Sequence, residues 1–337
     1  MKQYVVALII LFNILIFHNL SNANTIVVVG SSTVYPFATV VAENFHNKNN
    51  QFSTPVVEAT GTGAGIKLFC SPESNNSPDV VNASRKMKTS EKDVCNKNGI
   101  ENILEITIGY DALAIIQPKN LANVVLSIEE LFLATASYVP DANGNLIPNP
   151  YQKWSEINPK LPNIDIKIIG PSPSSGTRDS FIDLVLIQAC ESFIKQKKLI
   201  KSDNVLKKCS IIRSDLAWID GGENYILNIK KVSNSTDTFA VLGYSFYQQN
   251  TKLVSAVKIN SIEPNPKSFK NKSYPLFRPL YIYVNGNHLS TTEGLREFVS
   301  EIISKKAIGE KGYLIKRGLI PLQKHEYHDM ISKINIT

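Results

Sequence analysis

Thr25-Ile26-Val27-Val28-Val29-Gly30-Ser31-Ser32-Thr33-Val34-Tyr35-Pro36-Phe37 is the stretch on which the fold turns. Its first five residues are a continuous β-branched run, the pattern of a strand buried on both faces of a parallel sheet. Gly30 ends the run. Ser31, Ser32 and Thr33 offer helix N-caps, and Pro36 suits an early helical position. Val34, Phe37, Val41 and Phe45 then recur at helical spacing. The unit reads strand–turn–helix.

The same grammar repeats outward from it. Val56-Val57 leads through Gly61-Thr62-Gly63-Ala64-Gly65 into Ile66, Leu68 and Phe69. Asp79 to Ala83 reads as a short strand. Ile103 to Ile108 and Ala112 to Ile116 read as two strands separated by Gly109-Tyr110-Asp111. Residues 139–163 hold five prolines among Asn and Gly, which predicts a long surface loop. Asp165 to Ile169 predicts a strand, followed by Gly170-Pro171-Ser172-Pro173-Ser174-Ser175-Gly176-Thr177. A helix then places Phe181, Leu184, Val185 and Ala189 on one face. Phe239 to Gly243 and Leu280 to Val284 are later strands, and Leu295, Phe298, Val299, Ile302 and Ile303 mark a late amphipathic helix. Strands alternating with helices imply an α/β fold with mostly parallel sheets.

The 337 residues suffice for two domains, and 43% hydrophobic against 19% charged residues is a globular balance. The net charge of +7 comes from lysines interleaved with acidic residues, which argues against nucleic-acid binding. Lys2, the apolar run Val5 to Phe17 and the small residues Ser21 and Ala23 have the layout of a secretory leader. That run is shorter than the ~20 residues a membrane helix needs. Cleavage after Ala23 would leave a soluble protein outside the cytoplasm. Cys70, Cys95, Cys190 and Cys209 form an even set in such a chain, and local pairing would join Cys70 to Cys95 and Cys190 to Cys209. Their spacing alone does not decide the connectivity.

Three turns share one chemistry: each places Ser, Thr and Gly after a strand and before a helix. Helix N-termini present unpaired N–H groups and a partial positive charge, so they suit anions. The hydroxyls of Ser32, Thr33, Thr62, Ser175 and Thr177 could add donors. A dehydrated tetrahedral anion needs many donors at once. For any one turn, an ordinary capped helix start is the plainer explanation.

Gly30-Ser31-Ser32-Thr33-Val34-Tyr35-Pro36, Gly61-Thr62-Gly63-Ala64-Gly65, Asn82-Ala83-Ser84-Arg85 and Ser175-Gly176-Thr177-Arg178 resemble, in order, the ligand motifs of periplasmic phosphate-binding proteins. Those are substrate-binding subunits of the high-affinity phosphate ABC transporter. The resemblance implies a two-lobed periplasmic-binding-protein-like α/β fold, with two mostly parallel sheets joined by a two-segment hinge. Residues 24–108 with 244–337 would form one lobe and 109–243 the other, with hinge segments near Gly109-Tyr110 and Phe239 to Gly243. It implies a phosphate site of Ser32, Thr33 and Val34, of Thr62 or Gly63, and of Ser175, Gly176 and Thr177. It further implies no cofactor, a monomer, and delivery of phosphate to membrane permease subunits. Some relatives carry Asp where this chain has Arg85, and Arg where it has Pro171. Arg85 and Arg178 could restore the positive charge. Asp111, Asp179 and Glu58 are the candidate substitutes for the lost carboxylate, whose role is to accept the ligand's proton.

Rival readings are a secreted phosphatase, a receptor for sulfate, arsenate or molybdate, and an adhesin or sensor on the same scaffold. The mature histidines, His46, His288, His325 and His328, read as solvated residues rather than catalysts. No G-x-S-x-G or H-E-x-x-H motif is present.

Overall fold

The computed structural model of the protein describes residues 25–72, 77–173, 175–202, 204–222 and 224–334; the leader read at 1–23 lies outside them. The opening stretch folds as its residues demand. Strand β1 (Val27–Gly30) runs into helix α1 (Tyr35–Lys48), with Pro36 in its first turn. Strand β2 (Val56–Ala59), helix α2 (Thr62–Phe69), strand β3 (Val80–Ala83) and helix α3 (Thr89–Lys97) follow. β1 lies between β2 and β3, parallel to both. Val80 and Val81 are fully buried, as the doubly covered strands of a parallel sheet require.

Strand β4 (Ile103–Pro118) is a single strand of 16 residues, where two had been expected. Gly109-Tyr110-Asp111 does not break it. At Gly109, φ is +151° and a Cβ would lie 2.8 Å from the Ile320 carbonyl oxygen, so glycine lets the strand bend past the 319–320 segment without stopping. Strands β5 (Ile168–Gly170), β6 (Trp218–Asp220) and β7 (Phe239–Gly243) build the second half. Helix α4 (Gly176–Phe181) follows β5 and passes through a π-helical stretch, Ile182–Ile187, into α5 (Gln188–Lys195). Helix α6 (Tyr244–Gln249), strands β8 (Val254–Ala256) and β9 (Phe277–Asn285), and helices α7 (Leu295–Ile303) and α8 (Lys324–Lys333) complete the main frame. The strand order is β2-β1-β3-β9-β4-β7-β5-β6, with β8 also on β4. The outer strands are parallel. β9 is antiparallel to β3 and β4, and β7 and β8 are antiparallel to β4, so β4 joins the two halves into one mixed, nine-stranded sheet.

Residues 139–163 are not a bare loop. Tyr138–Pro140 and Leu146–Pro148 form a hairpin, and Trp154 is buried to 1% exposure. Proline content hid this, because prolines at strand ends leave the few ladder bonds of a short hairpin intact.

The core divides at β4. Ile106, Ile108 and Tyr110 pack with α1, α7 and the C-terminal segment. Ala112 to Ile116 pack with the elements between them and Leu276. A smaller cluster around Ile66, Phe69 and Tyr283 backs the first half. Tyr244, Tyr247, Val257, Phe269 and Leu276 therefore belong with the second core, not with the first lobe to which residues from 244 onward had been assigned. The return crossing is not at Phe239–Gly243, which is deep in the second core, but at Phe277–Leu280. There β9 pairs with Gly109–Ala112 of β4, so the hinge is a two-stranded ribbon. Cys70–Cys95 and Cys190–Cys209 are bonded, one pair in each half. Among the described residues no helix is long and apolar enough to cross a membrane.

Candidate functional site

Two of the three small-residue turns meet where the lobes meet. The turn before α1 brings Thr33 against the turn before α4, and Thr33 Oγ1 donates to the Gly176 carbonyl at 2.9 Å. A Cβ on Gly176 would lie 2.5 Å from Thr33 Cα, so only glycine permits this approach. Ser32, across the same junction, favours the ionised form of the Asp179 carboxyl. Val34 contributes differently from the expectation: its N–H is turned to the Ser31 carbonyl at 3.1 Å, and its side chain is fully buried.

On the second lobe, Ser175 caps α4 by accepting from Thr177 N–H at 3.2 Å. Tyr225 ties the turn together. Its hydroxyl is 3.1 Å from Ser175 Oγ and donates to Thr177 Oγ1 at 3.1 Å. Thr62, in the third turn, is engaged within its own lobe, accepting from Ser84 N–H at 3.1 Å with Ser84 Oγ also 3.1 Å away. Gly63 lies beside Arg85, whose guanidinium is 3.9 Å from where a Cβ would stand.

The two expected cations have other partners. Arg85 forks onto Glu91 at 2.8 and 2.9 Å, and that bonding raises its pKa. Arg178 lies over the Trp218 ring at 5.7 Å and donates to the Pro171 carbonyl at 3.3 Å; burial lowers its pKa. The cation that reaches the interlobe junction is Arg278, on the hinge ribbon, only 5% exposed. Its Nη2 donates to Thr33 Oγ1 at 2.9 Å and contacts Ser180 Oγ; its Nη1 donates to Asp183 Oδ2 at 3.0 Å. Its Nε lies 3.9 Å from Asp111 Oδ2 and has no hydrogen-bond partner among the described residues. A buried guanidinium N–H without a partner is costly, and an anion's oxygen would satisfy it.

Asp111, expected as one substitute acceptor, stands opposite Arg278 on the ribbon and accepts from Ser180 Oγ at 3.1 Å. Burial pushes the Asp179 carboxyl above its usual range. Neighbouring Asp183 adds to that push, against Ser32 and the charges of Arg278 and Arg178. Glu58 is exposed on the edge strand β2, away from the junction. The histidine reading needs one correction: His288 Nδ1 lies 2.8 Å from buried Asp79, which also accepts from Thr292 Oγ1, so His288 is part of a polar knot.

Arg278, Ser180, Asp183 and Tyr225 were missed from the sequence. One signal for Arg278 was present. It is in phase with Leu276, Leu280, Ile282 and Val284, all core residues, and a charge at a core phase needs a reason.

The profile of the PBP superfamily domain matches residues 18–306. The protein SphX of Synechococcus elongatus is 29% identical over 277 residues, covering 80% of this chain and 71% of the relative. The phosphate-binding protein PstS of Staphylococcus saprophyticus is 27% identical over 311 residues, covering 91% and 83%. Among solved structures, a possible phosphate binding protein from Planctomyces limnophilus superposes with a TM-score of 0.72 at 26% identity, over 92% of this chain and 96% of that one. An ABC-type phosphate transport receptor from Vibrio cholerae has the same fold, with a TM-score of 0.63 at 20% identity over 88% and 100%. Its architecture is thus the two-lobed, periplasmic-binding-protein-like α/β fold, and the chain belongs to the PBP superfamily.

Proposed function

We propose that this protein captures inorganic phosphate between its lobes and delivers it to the permease subunits of an ABC transporter. The observation that carries this reading is the buried Arg278 guanidinium, its Nε unpaired, where helix starts from both lobes converge. Ser32, Thr33, Ser175, Gly176 and Thr177 supply hydroxyl and backbone donors around it, while Arg85 and Arg178 act at longer range. The phosphate-binding names of the PstS relative and of the Planctomyces limnophilus protein favour phosphate over other oxyanions. The protein acts as a monomeric receptor, not a hydrolase, in the periplasm after cleavage behind Ala23.

Closure removes water from the junction, which strengthens each donor contact. Asp111 and Asp179 lie near enough to accept the proton that phosphate carries near neutral pH and sulfate lacks. Arg278 offsets their repulsion of the anion. The hinge ribbon carries both Asp111 and Arg278, so lobe closure and ligand charge are read by the same four residue pairs.

The test is calorimetric titration of residues 24–337, stripped of carried-over ligand, with phosphate and then sulfate. One-to-one phosphate binding without a sulfate response is expected. Equal binding of both anions would make this a general oxyanion receptor, and silence with both would overturn the reading.

A further inference from the structure

The hinge ribbon has two faces, because directly opposite residues in an antiparallel pair share a face and neighbours alternate. Asp111 and Arg278 point to the cleft. Tyr110 and Phe277 point the other way, stacked with ring centroids 4.6 Å apart. Behind them lies a cavity of about 670 Å³. One wall is Tyr244 and Phe269, from the second core; the other is Leu319 and Leu322, from the first. Its mouth carries Lys270, Lys324 and His325 against one acid, Glu310. A cavity of this size with an apolar wall and a few polar groups suits a small organic ligand.

We propose that this cavity is a second ligand site, for a small amphipath with an apolar, aromatic-sized body and one anionic group, and that its occupant favours closed lobes. The apolar walls take the body and the excess of basic groups at the mouth takes the charge. The coupling follows from the ribbon. Its two walls belong to different lobes and lie on the side of the pivot opposite the cleft, so opening the cleft drives them together. A body between them opposes opening. Cross-hinge bonds already hold that side: Lys272 pairs with Glu326 at 2.8 Å, and Gln323 Nε2 donates to the Lys270 carbonyl at 2.9 Å. Linkage then requires that the amphipath and the cleft anion raise each other's affinity by one common factor.

The probe is anilinonaphthalene sulfonate, followed by fluorescence and calorimetry on the full mature chain. One-to-one binding is expected, tightened roughly fivefold by saturating phosphate, with phosphate tightened equally by the probe. Gln248→Trp, an exposed position at the mouth, fills the cavity; it should abolish probe binding and, standing in for the occupant, should tighten phosphate binding rather than weaken it. Lys324→Glu is a second, surface variant and should weaken the probe severalfold. The coupling rests on the phosphate reading of the cleft, whereas the site does not. Probe binding untouched by both variants would overturn the site. Sensitivity to the variants together with indifference to phosphate, in a protein that binds phosphate, would overturn the coupling alone. Failure of phosphate to bind at all would strike the cleft reading, with the probe site still judged by the two variants.

Discussion

The cleft face and the back face of the hinge ribbon are made from the same eight residues, yet they do opposite work. On the cleft face Arg278 is buried with an unpaired Nε, among Asp111, Asp179 and Asp183, an arrangement that costs stability unless a ligand completes it. On the back face Tyr110 stacks on Phe277, and its hydroxyl donates to Glu326 at 2.7 Å, where Lys272 also pairs. The back face supplies stability with ordinary packing and closed hydrogen bonds. A receptor that must open and close keeps its strained charges on one side of the pivot and its satisfied contacts on the other.

Arg278→Ala is the harshest test of that division. It should weaken phosphate binding about 100-fold, the scale of a lost hydrogen-bonded charge, and lower folding stability by about 3 kcal/mol because Asp111 and Asp183 lose their partner. Arg278→Lys should fall between, since a point charge replaces a planar fork. Calorimetry and denaturant unfolding read the two effects separately. A folded Arg278→Ala protein with unchanged phosphate affinity would remove Arg278 from the site.

Much of the frame is legible in the sequence because local and global signals agree. The β-branched run 25–29, the glycine-rich turns and the helical spacing of Val34, Phe37, Val41 and Phe45 all lead to the elements observed. What stays hidden is long-range. The apolar run Leu280 to Val284 reads as the strand, which leaves Arg278 outside it, whereas the strand begins at Phe277. Only pairing with Ala112 shows that β9 starts at Phe277. In the same way, nothing local says which core Tyr244, Phe269 and Leu276 join. Arg85 and Arg178 were the visible cations because they lie in the motifs, but Glu91 and Trp218, which claim them, are visible only in space.

Tyr110→Phe probes the other face at a smaller scale. It keeps the stack and removes the hydroxyl bond to Glu326, so stability should fall by about 1 kcal/mol. Phosphate affinity should stay within about twofold, since a factor of ten needs 1.4 kcal/mol of coupling. A large loss of affinity would mean the back face takes part in recognition, and the two faces would no longer divide the work.

Asp179→Asn should produce the smallest change and the opposite sign. Burial raises the Asp179 carboxyl above its unfolded value, so the folded chain holds that proton more tightly than the unfolded one. The stability linked to this group is therefore present below about pH 3.9, the unfolded value, and is lost as pH rises through the folded value. Asparagine cannot ionise and escapes that loss. The variant should match the parent near pH 3 and melt about 0.5–1 °C higher at pH 7, a shift on the scale of a few tenths of a kcal/mol in a chain of this size. Calorimetric melting at both pH values, without anion, checks it. A variant less stable than the parent at pH 7 would show that the pull of Ser32 outweighs the cost of burying the charge. The cleft carboxylate would then be a structural contact rather than a group held in place for the ligand.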